Sequence, residues 1–298
     1  MMTLGGLQFW GDVYYFHDWR IQQNVLTGHY RLLDGKDLRH ASGTLNECRA
    51  FLDSVRKEKK LPPMSGKSVL LLHGIIRSSK SMTKMRQAFE KEGYKVFSFD
   101  YPSTRVDIQD SAEYLHRAIL ALGGIEEINF VVHSMGGLVV RAYLSKHCDK
   151  RIKRMVMLGV PNLGACMADQ FKANAIYRVM FGPAGQQLGR DPDGLIAKLP
   201  TPDFEFAVIA GARGMVNGFN PLIPGDDDGT VSVTSARLQG AADSVAVHVL
   251  HSVLMKSDQV IDYSIRFIKT GRLRKTGKPE PIPKMTPQFK VPSDAKRT

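Results

Sequence analysis

The sequence predicts an α/β fold: a mostly parallel central sheet with helices on both faces, a small lid insertion and an N-terminal strand-plus-helix extension. Three observations predict it. Between residues 68 and 161 short, continuous apolar runs alternate with stretches of helical period. The runs lack the in–out alternation of a sheet with one wet face, so both faces are covered, as in a parallel sheet. Residues capable of chemistry stand directly after the runs, beyond the carboxyl ends of the strands, where ligands bind in such sheets.

The elements follow in order. Leu7–Phe16 and Arg20–Leu33 are rich in aromatic and β-branched residues and read as strands, with a turn at Asp34-Gly35. Thr44 and Glu47 form a capping box for a helix over 45–58, whose Leu45, Cys48, Phe51, Leu52 and Val55 recur at helical spacing. Lys57–Lys67 reads as a linker. Strands are then expected at Val69–Leu72, Tyr94–Phe99, Ile128–Val132 and Arg154–Leu158, separated by helices at Met82–Lys91, Ala112–Leu122 and Gly136–Lys146. Residues 162–203 break this rhythm with Gly182-Pro183, Asp191-Pro192 and Pro200; they read as a cap or lid, with one helix over Phe171–Phe181. Strands at Phe206–Ala210 and Val245–Leu250 and a helix at Val260–Ile268 resume the pattern. The domain reading is therefore a hairpin-and-helix extension over 1–60, a core over 68–270 and a disordered basic tail over 272–298.

Composition narrows the function. The chain has 298 residues, 43% of them hydrophobic, enough for one large domain with additions. No apolar run reaches membrane-span length, and Met1–Trp10 does not read as a secretory signal. Cys48, Cys148 and Cys166 are scattered and odd in number, which argues against a disulfide scaffold and points to a reducing cytoplasm. The formal net charge is +12, and residues 272–298 hold eight Lys/Arg against Glu280 and Asp294. With Phe289 the one aromatic among its charges, such a tail is not a nucleic-acid platform; a solvated end is the simpler reading, and peripheral contact with an anionic membrane at its inner face is the functional one.

The chemistry centres on Phe130-Val131-Val132-His133-Ser134-Met135-Gly136-Gly137. A buried strand runs into Ser134 and a helix starts directly after it, the strand–turn–helix elbow that exposes a nucleophilic hydroxyl. Gly136 relieves crowding after the turn, whereas Val132 stands where a glycine is usual. Asp226-Asp227-Asp228-Gly229-Thr230-Val231 follows the next strand but one. Its three carboxylates compete for the task of orienting a histidine, and clustered carboxylates also suit a hard cation. Asp228 is favoured because Gly229 and Val231 would fix it, leaving Asp226 and Asp227 at the edge in water. His251 ends the last apolar run, while His248 reads as a residue inside that strand. His73-Gly74-Ile75-Ile76 closes the first central strand.

These stretches, together with Gly159-Val160-Pro161-Asn162-Leu163-Gly164, make residues 68–270 resemble the α/β-hydrolase superfamily, most of all its bacterial lipase and esterase branch. The resemblance implies a serine hydrolase that cleaves carboxylic esters through an acyl-enzyme. Ser134, His251 and Asp228 would be its triad, and the N–H groups of Ile75 and Met135 its oxyanion hole. His73 would hold its loop by hydrogen bonds. No cofactor or metal is called for, and the partner is a small-molecule or lipid ester. An acyltransferase would share every one of these residues, and a non-catalytic binding module on the same scaffold is the rival of another class. Phe171, Ile176, Tyr177, Val179, Met180 and Phe181 are candidates to line an acyl pocket.

Overall fold

The structure, a computed structural model, describes residues 7–284. Its centre is a parallel six-stranded sheet made of β5 (Gly66–Leu72), β6 (Lys95–Phe99), β7 (Ile125–His133), β8 (Ile152–Leu158), β9 (Glu205–Gly211) and β10 (Asp243–Val247), in the spatial order β10-β9-β8-β7-β5-β6. Successive residues of a strand face opposite sides. Val69 and Leu71 enter a core with α2 (Thr83–Lys91) and the C-terminal helix (Asp258–Thr270), through Met85, Phe89, Val260 and Phe267. Leu70 and Leu72 enter the opposite core with α3 (Ile108–Leu120) and α4 (Met135–Leu144), through Leu115, Ile119, Leu138 and Val139. The strands read as uninterrupted apolar runs because both faces are covered.

The N-terminal extension is more than a hairpin. β1 (Trp10–Phe16), β2 (Trp19–Asn24), β3 (Tyr30–Leu33) and β4 (Arg39–Gly43) form a four-stranded antiparallel sheet in chain order, followed by α1 (Leu45–Glu58) with its Thr44–Glu47 capping box. The segment expected as one strand over 20–33 is broken by a turn, where the Asn24 side chain accepts from Leu26 N–H and Thr27 N–H and Gly28 takes a left-handed conformation. β4 escapes sequence detection because its residues are polar and mostly exposed, so it carries no apolar alternation. This sheet shares a core with the central one: Val13, Tyr15, Ile21 and Leu32 pack in the same cluster as Phe97 and Phe99.

The junction between the sheets is polar and buried. Asp12 N–H donates to Asp100 O at 2.8 Å, and the Asp12 carboxylate accepts Asp100 N–H, Tyr15 Oη–H and the Gln22 amide. Arg20 lies between Asp12 and Asp100, 2.8 Å from Asp100 Oδ2. Burial and the neighbouring Asp100 charge raise the Asp12 pKa, against the pull of Arg20, while Arg20 holds that of Asp100 down against burial.

Three further expectations change. The single helix over 171–181 is two, α5 (Cys166–Phe171) and α6 (Ala175–Gln186), because Asn174 caps a new N-terminus by accepting from Ile176 and Tyr177 N–H. β10 stops at Val247, so His248 lies outside the strand and is exposed. The stretch 272–284, read as the start of a disordered tail, is pinned: Leu273 and Ile282 are buried, and buried Asp243 accepts Leu273 N–H and Glu280 N–H at 2.8 and 2.9 Å. The rest of the expected tail, 285–298, lies outside the described residues. Among the described residues no helix is long and apolar enough to cross a membrane.

Candidate active site

Ser134 sits where β7 meets α4, with φ 54° and ψ −128°, a backbone region that non-glycine residues rarely enter. Its N–H donates to Leu158 O at 2.9 Å, which ties the turn to the neighbouring strand. The elbow tolerates no side chain at Gly136: a Cβ there would come within 2.7 Å of His73 O. Val132, which replaces the usual glycine, is fully buried and forms part of the core beneath.

Asp228 and His251 come together as a couple. His251 Nδ1 lies 2.7 Å from Asp228 Oδ2. The other carboxylate oxygen accepts Thr230 N–H and Val231 N–H at 3.0 and 2.7 Å, and His251 N–H donates to Asp228 O at 2.9 Å. The acid is thus held from its own loop and from the segment that carries the histidine. Gly159, with φ 54°, makes the room: a Cβ there would lie 3.0 Å from His251 Nδ1 and 3.1 Å from Asp228 Oδ2.

Of the two neighbouring acids, Asp226 lies partly exposed at the edge as expected, whereas Asp227 does not. Asp227 is fully buried, and its carboxylate accepts Gly229 N–H at 2.6 Å and Asn220 N–H at 3.1 Å. Asp226 accepts Arg213 N–H and Gly214 N–H at 2.8 and 3.0 Å. A chain reversal leaves backbone donors facing inward, and short carboxylates satisfy them. All three acids are loop-builders, and Asp228 alone also meets His251.

Ile75 and Met135 present free N–H groups; neither donates to an acceptor among the described residues. Met135 opens α4, where a first-turn N–H has no intrahelical partner. Ile75 belongs to the turn closed by Arg77 N–H donating to Gly74 O at 3.3 Å. His73 is buried and stacks on Tyr101 at 4.5 Å, while Tyr101 Oη–H donates to His73 O at 2.7 Å, consistent with a structural role in this loop.

Ser134 and His251 line one cavity of about 610 Å³. Ser134 Oγ makes no hydrogen bond to His251 Nε2 in this arrangement; such contacts commonly tighten only once substrate binds. One side of the cavity is the Gly74–Arg77 turn, and the other is the insertion, with Met167, Phe171, Tyr177, Phe181 and Leu188. The six apolar candidates therefore divide. Phe171, Tyr177 and Phe181 face the cavity, whereas Ile176, Val179 and Met180 project outward, at 70%, 77% and 53% exposure. Buried Arg141 fastens both ends of the insertion, donating to Asn162 O, Leu199 O and Pro200 O.

Sequence reasoning missed two supports. His133 is buried and its Nε2 lies 3.0 Å from His251 O; since a carbonyl only accepts, that nitrogen carries the proton. Burial, with the adjacent His251 second, lowers the His133 pKa well below the usual imidazole value. Gln8, from the N-terminal extension, donates to Arg77 O at 3.2 Å and accepts from Ser103 and Thr104 hydroxyls, while Ser103 Oγ accepts Ile76 N–H. The place of His133 next to Ser134 was a signal; Gln8 had none.

A family profile described as alpha/beta hydrolase fold matches residues 67–203. No curated protein sequence matches the chain. Among solved structures, the mature lipase BlEst2 of Bacillus licheniformis is similar with a TM-score of 0.54 and 20% identity, over 71% of this chain and 94% of that one. Its propeptide form gives 0.56 and 20%, over 74% of this chain and 52% of that one. A metagenomic carboxyl esterase, MGS0156, gives 0.50 and 18%, over 64% and 66%. At such identities the likeness is one of fold.

Proposed function

The chain has the α/β-hydrolase fold, and on that premise we propose that it is a serine hydrolase that cleaves carboxylic esters, with Ser134, His251 and Asp228 as its triad. The observation that carries the reading is the Asp228–His251 couple at 2.7 Å, which opens onto the same cavity as Ser134 on its strained turn. Ser134 attacks the ester carbonyl while His251 Nε2 takes its proton. Asp228 holds the Nδ1–H tautomer and stabilises the imidazolium. The free N–H groups of Ile75 and Met135 receive the oxyanion. His251 then protonates the departing alcohol, and water, activated by the same nitrogen, releases the acid from Ser134. The apolar wall of Phe171, Tyr177 and Phe181 suits the acyl chain. The resemblance to a lipase and an esterase supports the ester as substrate class.

The test is direct. A fluorophosphonate should label the wild-type chain on Ser134 and leave Ser134→Ala unlabelled. Hydrolysis of short p-nitrophenyl esters should fall by several powers of ten in the variant, with the same melting profile. Activity of Ser134→Ala within about tenfold of wild type would remove Ser134 from the mechanism.

A further inference from the structure

The cavity beside Ser134 is charged on one side only. Its lining includes neither Asp nor Glu, and Arg77 is the lining residue with a permanent charge. Other partly or wholly buried arginines here are satisfied: Arg20 by Asp12, Asp37 and Asp100, Arg141 by backbone carbonyls, Arg151 by Asp149. The Arg77 guanidinium has no carboxylate partner and donates no hydrogen bond among the described residues. Partial burial alone acts on it and pulls its pKa down. The guanidinium faces the cavity with its donors open to it, and that planar fork matches the oxygens of a phosphate or carboxylate.

Its placement is also fixed. Arg77 N–H donates to Gly74 O, and Gln8 holds Arg77 O, so the residue closes the turn that presents Ile75 N–H. Its charge disfavours protonation of both His73 and His133, as a cation close to that site should. The insertion side of the cavity is apolar, which suits an acyl chain and leaves an anion no counter-charge there. An anionic group is therefore best accommodated on the alcohol side of the ester.

We propose that Arg77 makes this site selective for esters whose alcohol portion carries an anion, a phosphate or a carboxylate, near the scissile bond. The inference rests on the serine-hydrolase reading and deepens it. Arg77 binds the substrate's anion and takes no part in proton transfer.

The experiment uses the full chain and three esters of one acyl chain: decanoyl glycerol, decanoyl glycerol 3-phosphate and decanoyl glycerate. Released decanoate is followed below the concentrations at which the esters aggregate. Wild-type kcat/KM should favour at least one anionic ester over the neutral one by about tenfold, the worth of one charge-assisted contact. Preference for the phosphate ester alone assigns the anion as phosphate, preference for the glycerate alone as carboxylate, and either supports the proposal. The ratio should shrink as salt is raised, fall to about one in Arg77→Gln, and survive in part in Arg77→Lys, which retains charge but loses the fork. A wild-type ratio at or below one, or a ratio unchanged in Arg77→Gln, overturns the proposal. If Arg77→Gln does not fold, the wild-type ratio and its salt dependence decide. Fluorophosphonate labelling of Ser134 with hydrolysis of the neutral ester, but no anion preference, overturns this inference alone. No labelling and no hydrolysis of any of the three overturns both readings.

Discussion

At the scale of single residues, the Asp226–Asp227–Asp228 run shows how adjacent, chemically identical side chains acquire different work. Each carboxylate caps backbone donors, but Asp228 Oδ2 is the oxygen that reaches His251 Nδ1. Asp228→Asn should lower kcat by about three to four powers of ten, because an amide can donate where the histidine needs an acceptor. Asp227→Ala should act on stability, by about 1–3 kcal/mol, since it strands the Gly229 and Asn220 N–H groups in a buried place. Asp226→Asn keeps one acceptor oxygen and should stay within about tenfold of wild type in kcat. Steady-state kinetics and thermal melts of the three variants separate these outcomes; a large kcat loss confined to Asp226 or Asp227 would reassign the acid. His133 and His73 supply a prediction in pH. Burial lowers both pKa values in the folded chain, whereas in the unfolded chain each titrates near the ordinary value of about 6.5. As pH falls through that value the unfolded chain takes up protons that the folded chain refuses, so stability present at pH 7 is lost toward pH 5.5. His133→Asn can keep a donor toward His251 O without a titrating ring, and its melting temperature should decline less over this interval. An identical decline in the variant would show that His133 does not set the slope.

At the scale of elements, the N-terminal sheet has a task that its sequence does not announce. β1 is joined to the end of β6 through Asp12 and Asp100, and Gln8, just before β1, reaches the turn that carries Ile75. Ile76 in that turn has φ 63° although β-branched, a conformation that must be held from outside. Ser103 holds its N–H, and Gln8 holds Ser103. Gln8→Ala should therefore lower kcat for p-nitrophenyl esters by roughly tenfold with little change in KM, the signature of a loosened oxyanion donor. The melting temperature should move by only a few degrees, since each bond lost is partly exposed. Rescue by Gln8→Glu should be incomplete, because a carboxylate accepts from Ser103 and Thr104 but cannot donate to Arg77 O. A proportional rise in KM with kcat unchanged would mean that Gln8 serves binding and not the oxyanion turn.

At the scale of the whole molecule, the C-terminal segment closes the edge of the central sheet. Leu273 and Ile282 are buried in opposite cores, Gly240 N–H donates to Ile282 O, and Asp243 at the start of β10 gathers Leu273 N–H, Glu280 N–H and Arg274. Truncation after residue 284 leaves every one of these contacts in place and should preserve both the melting temperature and the hydrolysis of soluble esters. Truncation after residue 271 removes two buried aliphatic side chains, worth about 2–3 kcal/mol each, and leaves the buried Asp243 carboxylate only the Ser244 N–H of its partners among the described residues. That chain should melt far lower or aggregate. Equal melting temperatures for the two truncations would show that 272–284 adds nothing to the core.

The parallel sheet, most of its helices and the identity of the chemical stretches could be read from the order of the amino acids. Those properties are local: β5 and β7–β9 are apolar because both faces are covered, and an elbow at Ser134 is written in the residues on either side of it. The choice among three aspartates could be argued from Gly229 and Val231, but the burial of Asp227 could not, since it follows from Asn220 arriving across the loop. β4, the break between α5 and α6, and the anchoring of 272–284 were decided by partners distant in the chain or by a single cap, which no apolar period records. The support of the Ile75 turn by Gln8, and the lack of a carboxylate partner for Arg77 among the described residues, are likewise facts of three dimensions. A side chain's charge is legible in one letter, whereas the presence or absence of its partner depends on segments that meet only when the chain has folded.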